Sequence, residues 1–489
     1  MKDLNRRDLL GLMAAGATSA ALPRLASPFA ANERPNILYI MADDHASHAI
    51  SAYGSKINKT PNIDRIATGG MRMNNCFCTN SICTPSRGAI ITGQYSQMNG
   101  VYTLADELDG SHQNVAKLMK AGGYRTGMIG KWHLKQDPTG FDYWNILPGQ
   151  GVYQDPTFIE MGQKKQHQGY VSDLIADFSL DFLKKRDKKQ PFFLMCHHKA
   201  PHRNWQPGAK WAHMYDGQTI PEPFNLYDHY ENRSRAAANT KLIVGESMNE
   251  KDVKRPIPPD LKGDALRKWA YQYYIKDYLR CVASVDDNVG RLLDYLDAEG
   301  LAKNTIVIYT SDQGFFLGDH GYFDKRFMYE ESLRMPFLVR YPGHIRAGST
   351  NDDIVLNIDF AETFLDYAGL KIPSDMQGRS FRPVLEGHTP KDWRQSMYYR
   401  YWMHMTTHGV PAHYGIRTKQ YKLIYYYGAE RQHKGAVATP TEPEWELFDM
   451  VKDPHEMKNL YNDPAYAGVI QTLKAEMDRL QKYYKDTPA

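Results

Sequence analysis

Short apolar runs with almost no polar alternation constrain this chain more than any other feature. Ile37-Leu38-Tyr39-Ile40-Met41 comes first, followed by Thr126-Gly127-Met128-Ile129, Phe192-Phe193-Leu194-Met195-Cys196, Thr305-Ile306-Val307-Ile308-Tyr309 and Phe337-Leu338-Val339-Arg340. A strand with one wet face alternates apolar and polar residues, whereas a strand covered on both faces reads as a continuous apolar run. Helical patterns lie between the runs, one around Val115, Leu118 and Met119 and one over residues 271–296. In the latter, Tyr274, Tyr278, Cys281, Val285, Val289, Leu292 and Leu296 recur three or four residues apart, the spacing of one helix face. Strands alternating with helices predict an α/β fold with a mainly parallel central sheet flanked by helices.

That pattern stops in turn-rich sequence between residues 378 and 393. Beyond it, residues 397–402, 414–417 and 421–427 read as antiparallel strands. The chain closes on an amphipathic helix with the stripe Tyr466, Val469, Ile470, Leu473, Met477, Leu480 and Tyr484. We therefore expect a catalytic α/β domain over residues 33–385 and a small α+β lobe over 386–489, a division that suits 489 residues. Residues 231–265 are polar with a Pro-rich end and read as a long surface insertion.

Residues 1–32 form a twin-arginine-type signal peptide: Arg6-Arg7 precede the mildly apolar run Gly11-Leu12-Met13-Ala14-Ala15-Gly16-Ala17. This implies the twin-arginine export machinery as a partner and a periplasmic or secreted location. No Cys follows the run, and no other segment reaches membrane-span length, so no stable membrane anchor is expected. The net charge is only +4 without a strong Lys/Arg cluster, which argues against nucleic acid. Five cysteines are an odd number for a disulfide framework, and buried thiols are expected instead.

Ligands of open α/β sheets bind beyond the carboxyl ends of the strands. The first run ends in Asp43-Asp44, and the run beginning at Thr305 ends in Asp312-Gln313. The others lead into Lys131-Trp132-His133 and into His197-His198-Lys199 and His202. Three carboxylates and a carboxamide make an all-oxygen set suited to calcium or magnesium. A helix cap is the ordinary fate of one such Asp, but the coincidence at two strand ends points to metal. Cys83-Thr84-Pro85-Ser86-Arg87 precedes the apolar Ala89-Ile90-Ile91. This places Cys83 just ahead of a helix N-terminus, where free N–H groups favour an anion.

Cys83-Thr84-Pro85-Ser86-Arg87 resembles the C-x-P-S-R signature of the formylglycine-dependent sulfatases, and the segment Gly123 to His133 resembles their second signature. Asp43-Asp44, Ala200-Pro201-His202, Asp312-Gln313-Gly314, Lys325 and the closing Glu446-Leu447-Phe448-Asp449 fall in the same order. The resemblance covers residues 33–485 and implies an alkaline-phosphatase-like domain that hydrolyses sulfate esters. It implies that a formylglycine-generating enzyme oxidises Cys83 to 3-oxoalanine (formylglycine). It also implies that Asp43, Asp44, Asp312 and Gln313 hold one Ca2+ against residue 83, with Gln313 replacing the family's commoner Asn or His. Arg87 and calcium would favour the attacking alkoxide, and Lys131 and Lys325 the sulfuryl oxygens. His202, with Lys325, would assist the departing alcohol, and His133 would take the proton that lets the aldehyde re-form. Secondary candidates are His45, His48, His197 and His198 near the strand ends, and Asp324 and Arg326 around Lys325. In the lobe they are Tyr401, Trp402, His404, His408 and His413, while Glu330, Glu331 and Arg334 read as structural. Export and the 33 tyrosines point to a sulfated carbohydrate as substrate. The alternatives are an aryl or small-alkyl sulfatase, or a phosphonate or phosphodiester hydrolase of the same superfamily.

Overall fold

A computed structural model describes residues 34–429 and 433–486; the signal-type segment, residues 1–32, lies outside the described residues. Among the described residues, eleven strands form one mixed sheet. They are β1 (Asn36–Ala42), β2 (Met71–Phe77), β3 (Arg125–Lys131), β4 (Tyr143–Leu147), β5 (Thr157–Glu160), β6 (Gln163–Gln166), β7 (Phe192–His197), β8 (Thr305–Ser311), β9 (Arg334–Arg340), β10 (Ser349–Asn351) and β11 (Val355–Leu356). The order across the sheet is β10-β2-β9-β8-β1-β7-β3-β4-β5-β6, with β11 beside β2. The central strands β8, β1, β7, β3 and β4 are parallel neighbours. The run ending at Arg340 joins them as β9 but runs antiparallel to both β8 and β2. Two reversals leave β2 pointing the same way as β8, so the carboxyl ends of β1, β2, β3, β7 and β8 open on one edge.

Both faces of the sheet are dry at its centre, which is why β1, β7 and β8 lack alternation. On β1, Ile37, Tyr39 and Met41 enter one core with Ile90 of α2 (Cys83–Thr92), Met119 of α3 (Val115–Ala121) and Phe360 of α6 (Asp359–Tyr367). Leu38, Ile40 and Ala42 enter the other with Ile63 of α1 (Pro61–Thr68), Ile175 of α4 (Val171–Lys184) and Leu292 of α5 (Gly263–Ala298). Each fully buried Ile or Leu stabilises by about 1.5–3 kcal/mol, so β1 is fixed from both sides. Gly130 near the end of β3 has a φ of +100°, and a Cβ there would lie 2.0 Å from the His197 carbonyl oxygen. Only glycine allows that approach, and Lys131 follows directly.

Residues 231–265 are only partly the surface insertion that their polarity predicts: residues 254–265 lie at the surface, but the stretch before them is anchored. Ala237, Leu242 and Val244 are fully buried. The Val244 N–H donates to the Gly321 carbonyl and the Phe323 N–H to the Leu242 carbonyl, both at 2.9 Å. A few apolar residues in a wet stretch thus fasten it to the turn that leads to Lys325.

The smaller sheet holds four antiparallel strands, β12 (Ser396–Tyr401), β13 (His413–Thr418), β14 (Tyr421–Tyr426) and β15 (Glu444–Asp449). Helix α7 (Ala467–Tyr483) packs on it through Leu473, Met477 and Leu480; Tyr466, Val469 and Ile470 of the predicted stripe are only half-buried. The sequence pattern conceals β15 because its core includes a buried acid. The Glu446 carboxylate accepts from the Tyr329 and Tyr426 hydroxyls at 2.9 and 3.0 Å.

Candidate active site

Strand register delivers the acids together. Ala42 is level with Ser311, so Asp43 and Asp312 leave the sheet side by side. Asp44 turns the chain with a φ of 67°. Its N–H donates to Asp312 Oδ1 at 3.2 Å, and its carbonyl accepts from the Tyr278 hydroxyl at 2.8 Å. Helix α2 begins at Cys83 itself, with Ile82 as its N-cap. Cys83 is therefore the first helical residue, one position later in the motif than expected, because the extended Ile82 already serves as the cap. Ser86 Oγ donates to the Asp312 carbonyl and accepts from Asn357 Nδ2 at 2.9 Å, pinning the helix start to the end of β8. Asp43, Asp44 and Cys83 each present an atom within 4.8 Å of the others, and all three are buried.

Cations interleave with these acids. Arg87 reaches Asp312 Oδ2 with Nε and Nη2, both at 3.0 Å, and its Nη2 is 3.5 Å from Asp43 Oδ1. Lys131 Nζ pairs with Asp43 Oδ2 and stands 4.0 Å from Cys83 Sγ. Lys325 Nζ lies 2.5 and 2.7 Å from the two Asp44 oxygens. Gln313 Nε2 donates to Asp44 Oδ1. His202 Nε2 is 3.8 Å from Asp44 Oδ2, and its Nδ1 is 2.7 Å from the Arg203 carbonyl. A carbonyl only accepts, so Nδ1 carries the proton. His133 turns with a φ of 58°, its Nδ1 3.3 Å from Thr84 Oγ1. All ten residues predicted from the sequence thus meet at one edge of the sheet. Left-handed conformations at Asp44, His133, Asp324 and Arg326 concentrate backbone strain there.

The electrostatics separate two kinds of group. Burial, then the Lys131 and Arg87 charges, push His133 well below the usual histidine range, so its ring is neutral and able to take a proton. Burial and Lys131 do the same to His202. Burial pushes the Cys83 thiol up to about 12, outweighing Lys131 and Lys325. The thiolate is the nucleophilic form of cysteine, so the unmodified side chain is inert here.

A hard cation fits the acid cluster. Among the described residues, Asp43 Oδ1 and Gln313 Oε1 are buried oxygens without a hydrogen-bond donor. Burial, followed by neighbouring carboxylates, raises both Asp44 and Asp312 in spite of Lys325 and Arg87. A divalent ion would give the orphaned oxygens a partner and relieve the repulsion.

The secondary candidates divide between structure and rim. His45 Nδ1 meets the Tyr309 hydroxyl at 2.5 Å, and His48 pairs with Asp319 at 3.1 Å. His197 Nδ1 donates to the Lys131 carbonyl at 3.2 Å, and His198 lies buried 3.9 Å from Cys196 Sγ. Asp324 pairs with His408 at 3.3 Å and Arg326 Nη1 donates to the Tyr401 hydroxyl at 3.1 Å, so both flank Lys325 with partners of their own. Trp402 stacks under Arg400 at 3.5 Å. His404 accepts from the Ala412 N–H at 3.0 Å, and His413 is buried against Tyr401 and Tyr426. Glu330 pairs with Arg417 and Lys422 at 2.9 and 3.1 Å, as a structural residue should. Glu331 lies 3.7 Å from His320, and Arg334 opens β9.

Two residues escaped the sequence reading. Gln150 Oε1 accepts from Lys131 Nζ, and Tyr399 joins two catalytic loops. The Tyr399 hydroxyl accepts from the Ser81 N–H at 3.1 Å and donates to the Arg326 carbonyl at 2.7 Å. It therefore links the chain two residues before Cys83 to the chain one residue after Lys325. Nothing in a strand's alternation marks such a role. Tyr399→Phe leaves both backbone groups without that partner, at about 1–3 kcal/mol. We expect kcat to fall about tenfold with KM little changed and the thermal midpoint down by a few degrees, checked by steady-state kinetics and calorimetry.

Comparison with known proteins agrees with this geometry. The family model described as Sulfatase matches residues 35–370, and that described as N-sulphoglucosamine sulphohydrolase, C-terminal, matches residues 318–483. An N-acetylglucosamine-6-O-sulfatase of Bacteroides thetaiotaomicron is 42% identical over 98% of this chain and 93% of its own. An arylsulfatase of Clostridium perfringens is 27% identical over 93% of this chain and 96% of its own. One solved structure, in complex with its substrate D-glucosamine-2-N,6-O-disulfate, superposes with a TM-score of 0.88 and 44% identity, covering 93% of this chain and 99% of that one. A phosphonate monoester hydrolase of Agrobacterium radiobacter shares the fold, with a TM-score of 0.73 at 21% identity over 92% and 96% of the two chains. With a buried acid cluster facing Cys83 and a Sulfatase match across most of its length, the chain belongs to the sulfatase family, the hydrolases of sulfate esters.

Proposed function

We propose that this sulfatase removes sulfate from sulfated glycans, 6-O-sulfated glucosamine foremost, using formylglycine made from Cys83 and a calcium ion held by Asp43, Asp44, Asp312 and Gln313. The observation that carries this reading is Cys83 at the start of α2, 4.0 Å from Lys131 and within ligand reach of Asp43 and Asp44. The 42% identical N-acetylglucosamine-6-O-sulfatase supports the choice of sugar.

An aldehyde at residue 83 supplies, as its hydrate, two hydroxyls on one carbon, one to attack sulfur and one through which the product ester is released. Calcium, when bound, supplies positive charge to the sulfate and to the attacking oxygen. The chain's own groups do the rest. Arg87, held by Asp312 and Asp43, adds fixed positive charge beside residue 83. The ammonium groups of Lys131, 4.0 Å from Cys83 Sγ, and of Lys325, on Asp44, would donate to the sulfuryl oxygens, where preorganised donors act most strongly. His133, neutral in this site, takes a proton from the residue-83 side. His202 keeps its Nδ1 proton on the Arg203 carbonyl, so Nε2 donates only from the doubly protonated ring. Lys325 is raised well above its ordinary range, net of burial, by Asp44, and is the standing donor beside it.

An anionic sulfate bound beside His202 would favour its doubly protonated ring, so His202→Ala should cost more on alkyl sugar sulfates, about 10²–10³-fold, than on aryl sulfates with good leaving groups. Equal losses on both would remove His202 from the leaving-group side. The proposal as a whole is tested by a desulfation screen over defined sulfated saccharides, aryl sulfates and matching phosphate esters, using protein of measured aldehyde content. Turnover of phosphate or aryl esters alone overturns it.

We further propose that residues 1–32 direct twin-arginine export to the periplasm or beyond, and that a separate formylglycine-generating enzyme matures the chain. Among the described residues, no helix is long and apolar enough to cross a membrane. We also assign residues 33–385 to the catalytic domain and 386–489 to the lobe that supplies Tyr399.

A further inference from the structure

A cavity of about 350 Å³ opens beside His202, lined by Gln150, Tyr153, Lys199, His202, Asn204 and Gln206 among others. Among the described residues, no carboxylate lines it. Lys199 is 3% exposed, and its ammonium rests over the Tyr153 ring, 4.8 Å from the centroid. Among the described residues it makes no ion pair and no side-chain hydrogen bond. A buried lysine without a carboxylate is rare. The acids nearby are already held by other cations. Asp43 and Asp44 are engaged by Lys131 and Lys325. The Arg203 guanidinium on the same cavity wall is already matched by Asp252.

The charge balance points the same way. Four cations, Arg87, Lys131, Lys199 and Lys325, stand around three carboxylates, Asp43, Asp44 and Asp312. A bound divalent cation widens that excess, and one sulfate monoester carries a single negative charge, too little to match it. Burial and then Lys131 push Lys199 down to about 8, and an anion alongside would restore its charge.

We propose that this cavity is a second anion subsite in which Lys199 holds a further sulfate or a carboxylate of the same glycan, on the leaving-group side of the scissile ester. The inference rests on the glycan sulfatase reading and narrows it to substrates with at least two anionic groups. The shared chemistry is an oxyanion; its source is a second sulfate on the same sugar or the carboxylate of a linked uronate.

The test measures kcat/KM of calcium-loaded, aldehyde-containing enzyme on three 6-sulfated glucosamines: one with no other charge, one with a second sulfate, and one linked to a uronate. Wild type should favour at least one dianionic substrate by about tenfold or more, the worth of a charge-assisted hydrogen bond. Lys199→Met should lower that dianion-to-monoanion ratio about tenfold, and the arm that responds names the source. Both rates come from one preparation, so unfolded or unmatured protein cancels from the ratio. Gln206→Glu, which brings a carboxylate to the cavity wall, should lower the ratio too. An unchanged ratio in both variants, or a wild type indifferent to the second charge, overturns the subsite while leaving the sulfatase reading standing. Failure of wild type to hydrolyse any of the three would instead sink 6-sulfated glucosamine as the substrate.

Discussion

Cys83→Ser, made in a host that does not mature serine, should lose at least about 10⁴-fold in kcat/KM on a 6-sulfated sugar while keeping its fold. The expectation follows from what the side chain does and does not touch. Cys83 is 1% exposed, yet among the described residues its only side-chain hydrogen-bond partner is Lys131 Nζ at 4.0 Å, a contact that a hydroxyl can keep. The start of α2 is held by other groups: Ser86 on the Asp312 carbonyl, Asn357 on Ser86, and Arg87 across Asp312. Replacing sulfur by oxygen leaves all of these in place, so the thermal midpoint should move by no more than about 2–4 °C, the shift that about 1 kcal/mol gives in a protein of roughly 150–250 residues and an upper bound for this longer chain. Activity is another matter. A serine can be sulfated once but offers no second hydroxyl on the same carbon through which to shed the ester. The native thiol fares no better, since burial holds it near 12. Intact-protein mass spectrometry of wild type should therefore show activity rising in proportion to the fraction of residue 83 converted. Full activity from protein whose Cys83 is an unmodified thiol, or from Cys83→Ser, would remove the assigned nucleophile.

The acids and Cys83 were legible in the sequence because each follows directly from an element that the sequence declares. Asp43, Lys131 and Asp312 sit at the ends of unbroken apolar strands, and parallel neighbours must present such ends together. Cys83 announces itself through the Pro-containing start of an apolar helix. Groups that act across long separations gave no such sign. Tyr399 meets Ser81 and Arg326 only because a separate antiparallel sheet is pressed against the catalytic edge. Lys199 follows a strand like any other loop lysine, and its isolation depends on where every neighbouring carboxylate is already bound. The misreading of residues 231–265 has a related cause. Average polarity describes most of that stretch, but a few buried residues, Ala237, Leu242 and Val244 among them, decide where its first part lies. β15 was missed because Glu446 interrupts its apolar face, and only the Tyr329 and Tyr426 hydroxyls make its burial tolerable.

Calcium should raise the stability of this protein as well as its activity. Without an ion, Asp44 and Asp312 are raised by burial and by neighbouring carboxylates, and among the described residues Asp43 Oδ1 and Gln313 Oε1 have no hydrogen-bond donor. A ligand bound only by the folded chain stabilises it by about 2.7 kcal/mol at 100 times its dissociation constant. Chelation should accordingly lower the thermal midpoint by several degrees and turnover by at least about 10³-fold, both restored by calcium. The pH dependence has a definite sign. A carboxyl raised in the folded state favours folding while it is protonated, and that support is lost as pH climbs from its unfolded value through the folded one. Asp44 and Asp312 are of this kind, so the metal-free protein weakens as these groups ionise. Calcium binds the ionised form and competes with the proton. The calcium-induced rise in midpoint should thus be larger at pH 8 than at pH 5, and Asp44→Asn and Asp312→Asn should each shrink it. Magnesium, which demands tighter octahedral geometry and sheds water reluctantly, should give the smaller shift. An equal rise in wild type and in both variants would place the ion elsewhere, and with it the charge that the sulfate is drawn to.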